Sequence, residues 1–308
     1  MYKITEGYMP FLSGRTYYRI AEPQQGADPA KAPIILLHGG PGSTHNYFEV
    51  LDCLSDDGRA VISYDQIGCG KSYLDGQPQL WTLDTWMKEL KALIQHLGLS
   101  KFHLLGQSWG GMLELAYLID EGAKGVCSAV LSSTLSSSQL WGREQHRMIR
   151  YLPEEEQQAI AEAEASGDYQ NERYLQANDH YMELHCMGKV PADAPECLRR
   201  KKVTGDEAYR TAWGPNEYTP LGTLRDFDYT DRLGEIRVPC LIISGTDDLC
   251  TPLVAKTMYD RIPDARWELF EGCRHMCFVD DHAKYCSVVE KWLRENDGAM
   301  RRGSGRWQ

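Results

Sequence analysis

The 308-residue chain is 42% hydrophobic and carries a net charge of −11, enough apolar material for one core domain with an insertion. The acidic balance, without a basic stripe interleaved with aromatics, excludes nucleic acid and an anionic membrane surface as partners. No apolar run approaches the about 18 residues of a membrane span, and the polar start Met1-Tyr2-Lys3-Ile4-Thr5-Glu6 lacks a signal-peptide core, so a cytoplasmic protein is expected.

In chain order, residues 1–133 alternate strand-like runs with helical segments, the pattern of a mostly parallel sheet flanked by helices. Ile34-Ile35-Leu36-Leu37 reads as a buried strand running into His38-Gly39-Gly40-Pro41-Gly42, a loop whose backbone N–H groups can approach a ligand closely. A second apolar run, Phe102-His103-Leu104-Leu105, ends in Gly106-Gln107-Ser108-Trp109-Gly110 and continues into helix-compatible sequence. That is the nucleophile elbow of an α/β-hydrolase, in which a sharp strand-to-helix turn holds the serine hydroxyl toward substrate. The two loops together predict an oxyanion site built from the N–H of Trp109 and that of Gly39 or Gly40, with the choice between the glycines open.

After the strand-like Ala129-Val130-Leu131-Ser132-Ser133 the character changes, and residues 134–225 are charged and helix-rich. Pro153 followed by Glu154, Glu155 and Glu156 suits a helix N-terminus, and further helices are expected around Tyr174 to Met187 and Glu196 to Lys202. This segment reads as an all-helical cap inserted between core strands. The core resumes over 226–298 and ends in a helix containing Val288, Val289, Trp292 and Leu293; residues 299–308 read as a flexible tail.

Within the second core segment, the strand Pro239 to Gly245 leads to Asp247 and Asp248, and the short strand Arg266 to Phe270 leads to His275 in a Gly-containing loop. Serine, then aspartate, then histidine is the α/β-hydrolase chain order. His275 would take the proton of Ser108 and return it to the leaving group, while a carboxylate fixes its tautomer. Spacing alone leaves Asp247 and Asp248 equivalent.

The ten cysteines are scattered, and reduced thiols are expected. Cys127 and Cys240 read as small core residues, while Cys250, Cys273 and Cys277 fall near the site. Cys273-Arg274-His275-Met276-Cys277 lacks the paired spacing of a zinc site, so neither metal nor other cofactor is expected.

Over residues 1–295 the chain resembles the proline iminopeptidases (prolyl aminopeptidases) and related amino-acid amidases, serine peptidases on the α/β-hydrolase fold. The resemblance rests on His38-Gly39-Gly40-Pro41-Gly42 with His45, Tyr64-Asp65-Gln66-Ile67-Gly68-Cys69-Gly70-Lys71-Ser72, Gly106-Gln107-Ser108-Trp109-Gly110-Gly111 and Trp213-Gly214-Pro215-Asn216-Glu217-Tyr218. It implies that Asp248, in Gly245-Thr246-Asp247-Asp248-Leu249-Cys250-Thr251-Pro252, is the triad acid, and that Asp65 and Ser72 are scaffold. It further implies that Glu217 holds the free α-amino group of a small peptide or aminoacyl-amide substrate. Trp109, Trp213 and Tyr218 are then candidates to wall an apolar pocket for a proline ring or another small side chain.

Leu249 departs from the family pattern, which places a second acid directly after the triad aspartate. That departure keeps an esterase, a lactonase or an acyl-transfer enzyme of secondary metabolism as a second reading, and a non-catalytic ligand-binding protein as a third. A homo-oligomer stays open.

Overall fold

The computed structural model describes residues 2–298, so the tail assigned to 299–308 lies outside the described residues. Eight strands form one sheet: β1 (Lys3–Phe11), β2 (Gly14–Glu22), β3 (Ile34–Leu37), β4 (Val61–Asp65), β5 (Phe102–Gln107), β6 (Val126–Ser132), β7 (Cys240–Gly245) and β8 (Ala265–Phe270). Their order is β1-β2-β4-β3-β5-β6-β7-β8. The first two strands pair as an antiparallel hairpin and β2 meets β4 antiparallel, whereas β4, β3 and β5 to β8 run parallel.

The interior strands are buried along their whole length, as a parallel sheet covered on both faces requires. Alternation along each strand decides which layer each side chain joins. Ile35, Leu37, Leu104, Leu131 and Ile242 pack toward α1 (Leu83–His96) and α2 (Trp109–Asp120), through Trp86, Leu90, Met112 and Leu115. Ile34, Leu36, Leu105, Val130 and Leu241 face the other way, toward a 3-10 helix at His45–Ser55 and the C-terminal helix, through Phe48, Leu51, Tyr285, Val289 and Leu293. The exposed edge strand β1 carries Lys3, Thr5 and Glu6 outward, polar side chains that discourage edge-to-edge pairing.

Between β6 and β7 the chain makes only helices: α3 (Ser138–Ile149), α4 (Glu154–Ser166), α5 (Glu172–His185), α6 (Glu196–Arg199) and α7 (Asp206–Ala212). The excursion has a narrow neck. Ser137 bridges Asp228, Ser138 N donates to Phe227 O at 2.9 Å, and Tyr229 N donates to Ser136 O at 2.8 Å. Helix α4 begins directly after Pro153 with three acids in its first turn, as the sequence predicts. Helix α6 is shorter than the expected span to Lys202. At Arg200 the backbone turns extended while the guanidinium binds Glu196 and Glu49, and the following residues run back over the core.

Three helices complete the fold after the insertion: α8 (Pro252–Tyr259), α9 (Cys277–Asp280) and α10 (His282–Asn296), whose apolar stripe includes Val289, Trp292 and Leu293.

Candidate active site

The turn from β5 into α2 places Ser108 at φ 56° and ψ −124°, a conformation that costs a non-glycine residue energy and persists only where its surroundings impose it. The imposing contacts are backbone ones. Ser108 N donates to Ser132 O at 3.0 Å, and Ser108 O accepts from Thr134 Oγ1 at 2.7 Å. A Cβ on Gly106 would stand 2.4 Å from Gly110 O, and one on Gly110 only 1.9 Å from Leu37 O. Glycine is therefore needed on both sides of the serine to let strand and helix approach.

His275 leaves β8 through a loop tied to the insertion, its N–H donating to His185 O at 3.0 Å. Its Nδ1 lies 2.8 Å from Asp248 Oδ1. That oxygen also accepts from Cys250 N at 2.8 Å, while Asp248 Oδ2 accepts from Ser133 Oγ at 2.6 Å and Gly245 N at 3.1 Å. The choice between adjacent acids is thus made by geometry. Asp248 is buried with both carboxylate oxygens engaged, whereas Asp247 is exposed and contacts His185 through its main-chain carbonyl.

Ser108 and His275 face a cavity of about 470 Å³, within the range of small-molecule sites. Its floor comes from the core, including Gly39, Gly40, Tyr47 and Gln107; its roof comes from the insertion, including Cys186, Met187, Lys202, Tyr209 and Glu217. The two candidate oxyanion glycines differ. Gly39 N donates to the Tyr47 hydroxyl at 2.6 Å, and that hydroxyl donates to Gln107 Oε1 at 2.9 Å. The N–H groups of Gly40 and Trp109 meet no protein acceptor among the described residues, the second because the first amides of a helix have no intrahelical partner.

Asp65, Gln66 and Ser72 hold this floor together. Asp65 accepts from His45 N and Nδ1 and from Lys71 N, and Ser72 Oγ donates to Asp65 O. Gln66 donates through Nε2 to His38 O at 2.9 Å and accepts from Trp109 Nε1 at 2.7 Å, linking the glycine loop to the elbow.

Glu217 is half-buried, and its carboxylate accepts from Tyr209 OH at 2.7 Å. Loss of hydration raises its pKa above the ordinary carboxylate value, opposed by the Tyr209 hydrogen bond and the proximity of His275. Trp213 and Tyr218 require a correction, because neither lines the cavity. Trp213 is buried edge-on against Trp141, which in turn packs edge-on against His275; Tyr218 is fully buried against Tyr181 and His146. The Trp109 indole also points away, into an edge-on contact with Trp86. Leu249 is wholly buried, so its position contributes nothing to the cavity surface.

The ten cysteines are free. Cys250, Cys273 and Cys277 do not line the cavity, whereas Cys186 does, with a thiol pKa pushed up by burial. Among the described residues, His38, Asp65 and Cys69 lie close enough to share a metal ion, but His38 Nε2 accepts from Gln66 N and Asp65 is fully engaged. A second group, Cys53, His282 and Cys286, stands outside the catalytic cavity.

Tyr47, Ser133, His185, Lys202 and Tyr209 are not marked in the sequence. Each reaches the site from a distant segment, and no spacing relative to Ser108 or His275 singles it out.

The fold and this constellation define an α/β hydrolase, and a sequence profile described as alpha/beta hydrolase fold matches residues 32–282. The chain is 56% identical over 295 residues to a proline iminopeptidase of Clostridium botulinum, covering 96% of this chain and 100% of the relative. It is 55% identical over 296 residues to one of Clostridioides difficile, covering 96% and 100%. The crystal structure of a Mycobacterium smegmatis proline iminopeptidase superposes with a TM-score of 0.84 at 32% identity, covering 95% of this chain and 99% of that one. The chain belongs to the proline iminopeptidase family. No helix among the described residues is long and apolar enough to cross a membrane.

Proposed function

We propose that this serine aminopeptidase releases N-terminal proline from short peptides through an acyl-enzyme on Ser108. The reading rests on one observation above the others: a single cavity joins Ser108 and His275 with the half-buried carboxylate of Glu217, which forms no ion pair with a lysine or arginine among the described residues. A carboxylate removed from water strongly favours a cationic hydrogen-bond donor, and the secondary ammonium (pyrrolidinium) nitrogen of an N-terminal proline is one.

With that nitrogen at Glu217, the proline carbonyl carbon lies over Ser108. His275 Nε2 removes the hydroxyl proton as Ser108 Oγ attacks, and Asp248 holds the Nδ1–H and stabilises the imidazolium. The oxyanion is assigned to the amides of Trp109 and Gly40, Gly39 being committed to Tyr47. The C–N bond breaks as His275 returns the proton to the departing amine. Water, deprotonated by the same histidine, then releases proline. Residues 134–225 are assigned as the cap that carries the amine site, and 1–133 with 226–298 as the core that carries the reaction.

The test is hydrolysis of a prolyl arylamide and its N-acetylated form by the native chain, Ser108→Ala and Glu217→Gln. The native chain should cleave only the free amine, and Glu217→Gln should lose most of that discrimination. Equal cleavage of both substrates, indifferent to Glu217, would overturn the amine assignment.

A further inference from the structure

The cavity is lined by a lysine that the proposed reaction does not use. Among the described residues Lys202 is the one lysine shielded from solvent without an acidic partner; the other shielded lysine, Lys31, binds Asp57 at 3.0 Å, and the rest are exposed. Its Nζ stands 5.2 Å from the centroid of the Tyr47 ring, whose hydroxyl in turn holds Gly39 of the oxyanion loop. Lys202 therefore lies on the oxyanion side of the cavity, reached by the extended stretch that follows α6. Burial pulls its pKa below the usual lysine value, opposed only in part by the thiols of Cys197 and Cys186. A ring face accepts no conventional hydrogen bond, so the ammonium keeps N–H donors for an incoming anion.

We propose that Lys202 binds the C-terminal α-carboxylate of a di- or tripeptide whose N-terminal proline sits at Glu217. The inference rests on the aminopeptidase reading and extends it to the other end of the substrate. Glu217 and Lys202 set opposite charges in one cavity, which Ser108 also lines. A zwitterionic short peptide carries its charges in the matching order, and its ends lie within a few Cα spacings of about 3.8 Å. A volume of about 470 Å³ accepts such a molecule and excludes a folded chain. The other ionic groups of the wall do not replace Lys202. Asp206 accepts a hydrogen bond from Thr204 Oγ1 at 2.8 Å and would repel a carboxylate, while Arg210 is exposed.

The experiment compares Pro-Gly and Pro-Gly-Gly with their C-terminal amides, alongside the prolyl arylamide, for the native chain, Lys202→Met, Lys202→Gln and Arg210→Gln. For whichever length is cleaved faster, the native free acid should exceed its amide by about tenfold in kcat/KM, carried by KM. Both Lys202 variants should bring that ratio close to one, and Arg210→Gln should retain it. Equal native rates on acid and amide would overturn the proposal, as would loss of the preference in Arg210→Gln instead. The native comparison needs no variant, so it decides the question even if Lys202→Met misfolds. If the prolyl arylamide is cleaved without any acid preference, the carboxylate site alone fails. If no free-amine prolyl substrate is cleaved, the aminopeptidase reading fails with it.

Discussion

The core and the helical insertion treat polar groups in opposite ways. In the core the acids and the serine backbone are tied down: Asp248 receives four hydrogen bonds, Asp65 is saturated by His45 and Lys71, and Ser108 is fixed through its own backbone. In the insertion the groups facing the cavity are left short of partners. Glu217 has one hydroxyl donor, and Lys202 has an aromatic face. The difference separates two physical tasks. Chemistry needs preorganised geometry, which satisfied hydrogen bonds supply, whereas recognition needs desolvated charges that the substrate itself completes.

Removal of core groups should give the largest effects. Ser108→Ala is expected to lower kcat by about four to six orders of magnitude. Asp248→Asn should cost about 10⁴ in kcat by presenting the wrong tautomer, while Asp247→Asn should stay within a small factor. Comparable losses in the two aspartate variants would break the distinction between a saturated core acid and an exposed neighbour.

Glu217→Gln should come next, lowering kcat/KM for free-amine substrates by about 30- to 1,000-fold, the range for one partner of a buried charged pair. The pH dependence has a definite sign. The Glu217 pKa lies above its ordinary value, so the anionic form that holds the substrate cation is lost at a higher pH than for a solvated glutamate. KM of the native chain should therefore rise on acidification before an exposed carboxylate would titrate. In Glu217→Gln that limb should vanish.

Trp213→Ala probes the boundary between the two regions. The indole is buried against Trp141 and absent from the cavity, so the variant should lose about 3–5 kcal/mol of stability and keep the native ranking of substrates. A changed ranking without loss of stability would return Trp213 to the pocket wall.

The smallest effect concerns a core carboxyl away from the reaction. Glu89 of α1 accepts from Ile67 N and Thr16 Oγ1, and burial pushes its pKa up to about 8. Because the folded value exceeds that of the unfolded chain, the folded protein holds the extra proton between about pH 4.5 and 8. Stability from this group is present below that window and is lost as pH rises through it. Glu89→Gln should reduce the fall in Tm between pH 5 and 9 by a few °C, measured by thermal melts at both values.

Much of this was legible in the chain because the reaction sits on local signals. The glycines around Ser108, the loop after β3 and the order of Ser108, Asp248 and His275 each follow from short-range backbone demands that a one-dimensional string records. The helical insertion was legible too, through Pro153 and the acids after it. The pocket wall was not. Trp213 and Tyr218 flank Glu217 in sequence, and adjacency suggested a shared surface, yet the turn after α7 sends Glu217 to the cavity and both aromatics into the packing behind it.

By itself, then, the sequence determined the types and order of the candidate catalytic residues and the strand-turn-helix context that presents them, since each depends on neighbours within a few positions. Tertiary structure alone decided which of Gly39 and Gly40 keeps a free amide, since the competing acceptor is Tyr47. It also decided which acid of the Asp247-Asp248 pair faces His275. It also brought Lys202, without an acidic partner among the described residues, into the same cavity as Glu217, because that arrangement requires the insertion to fold back over a floor built from distant strands.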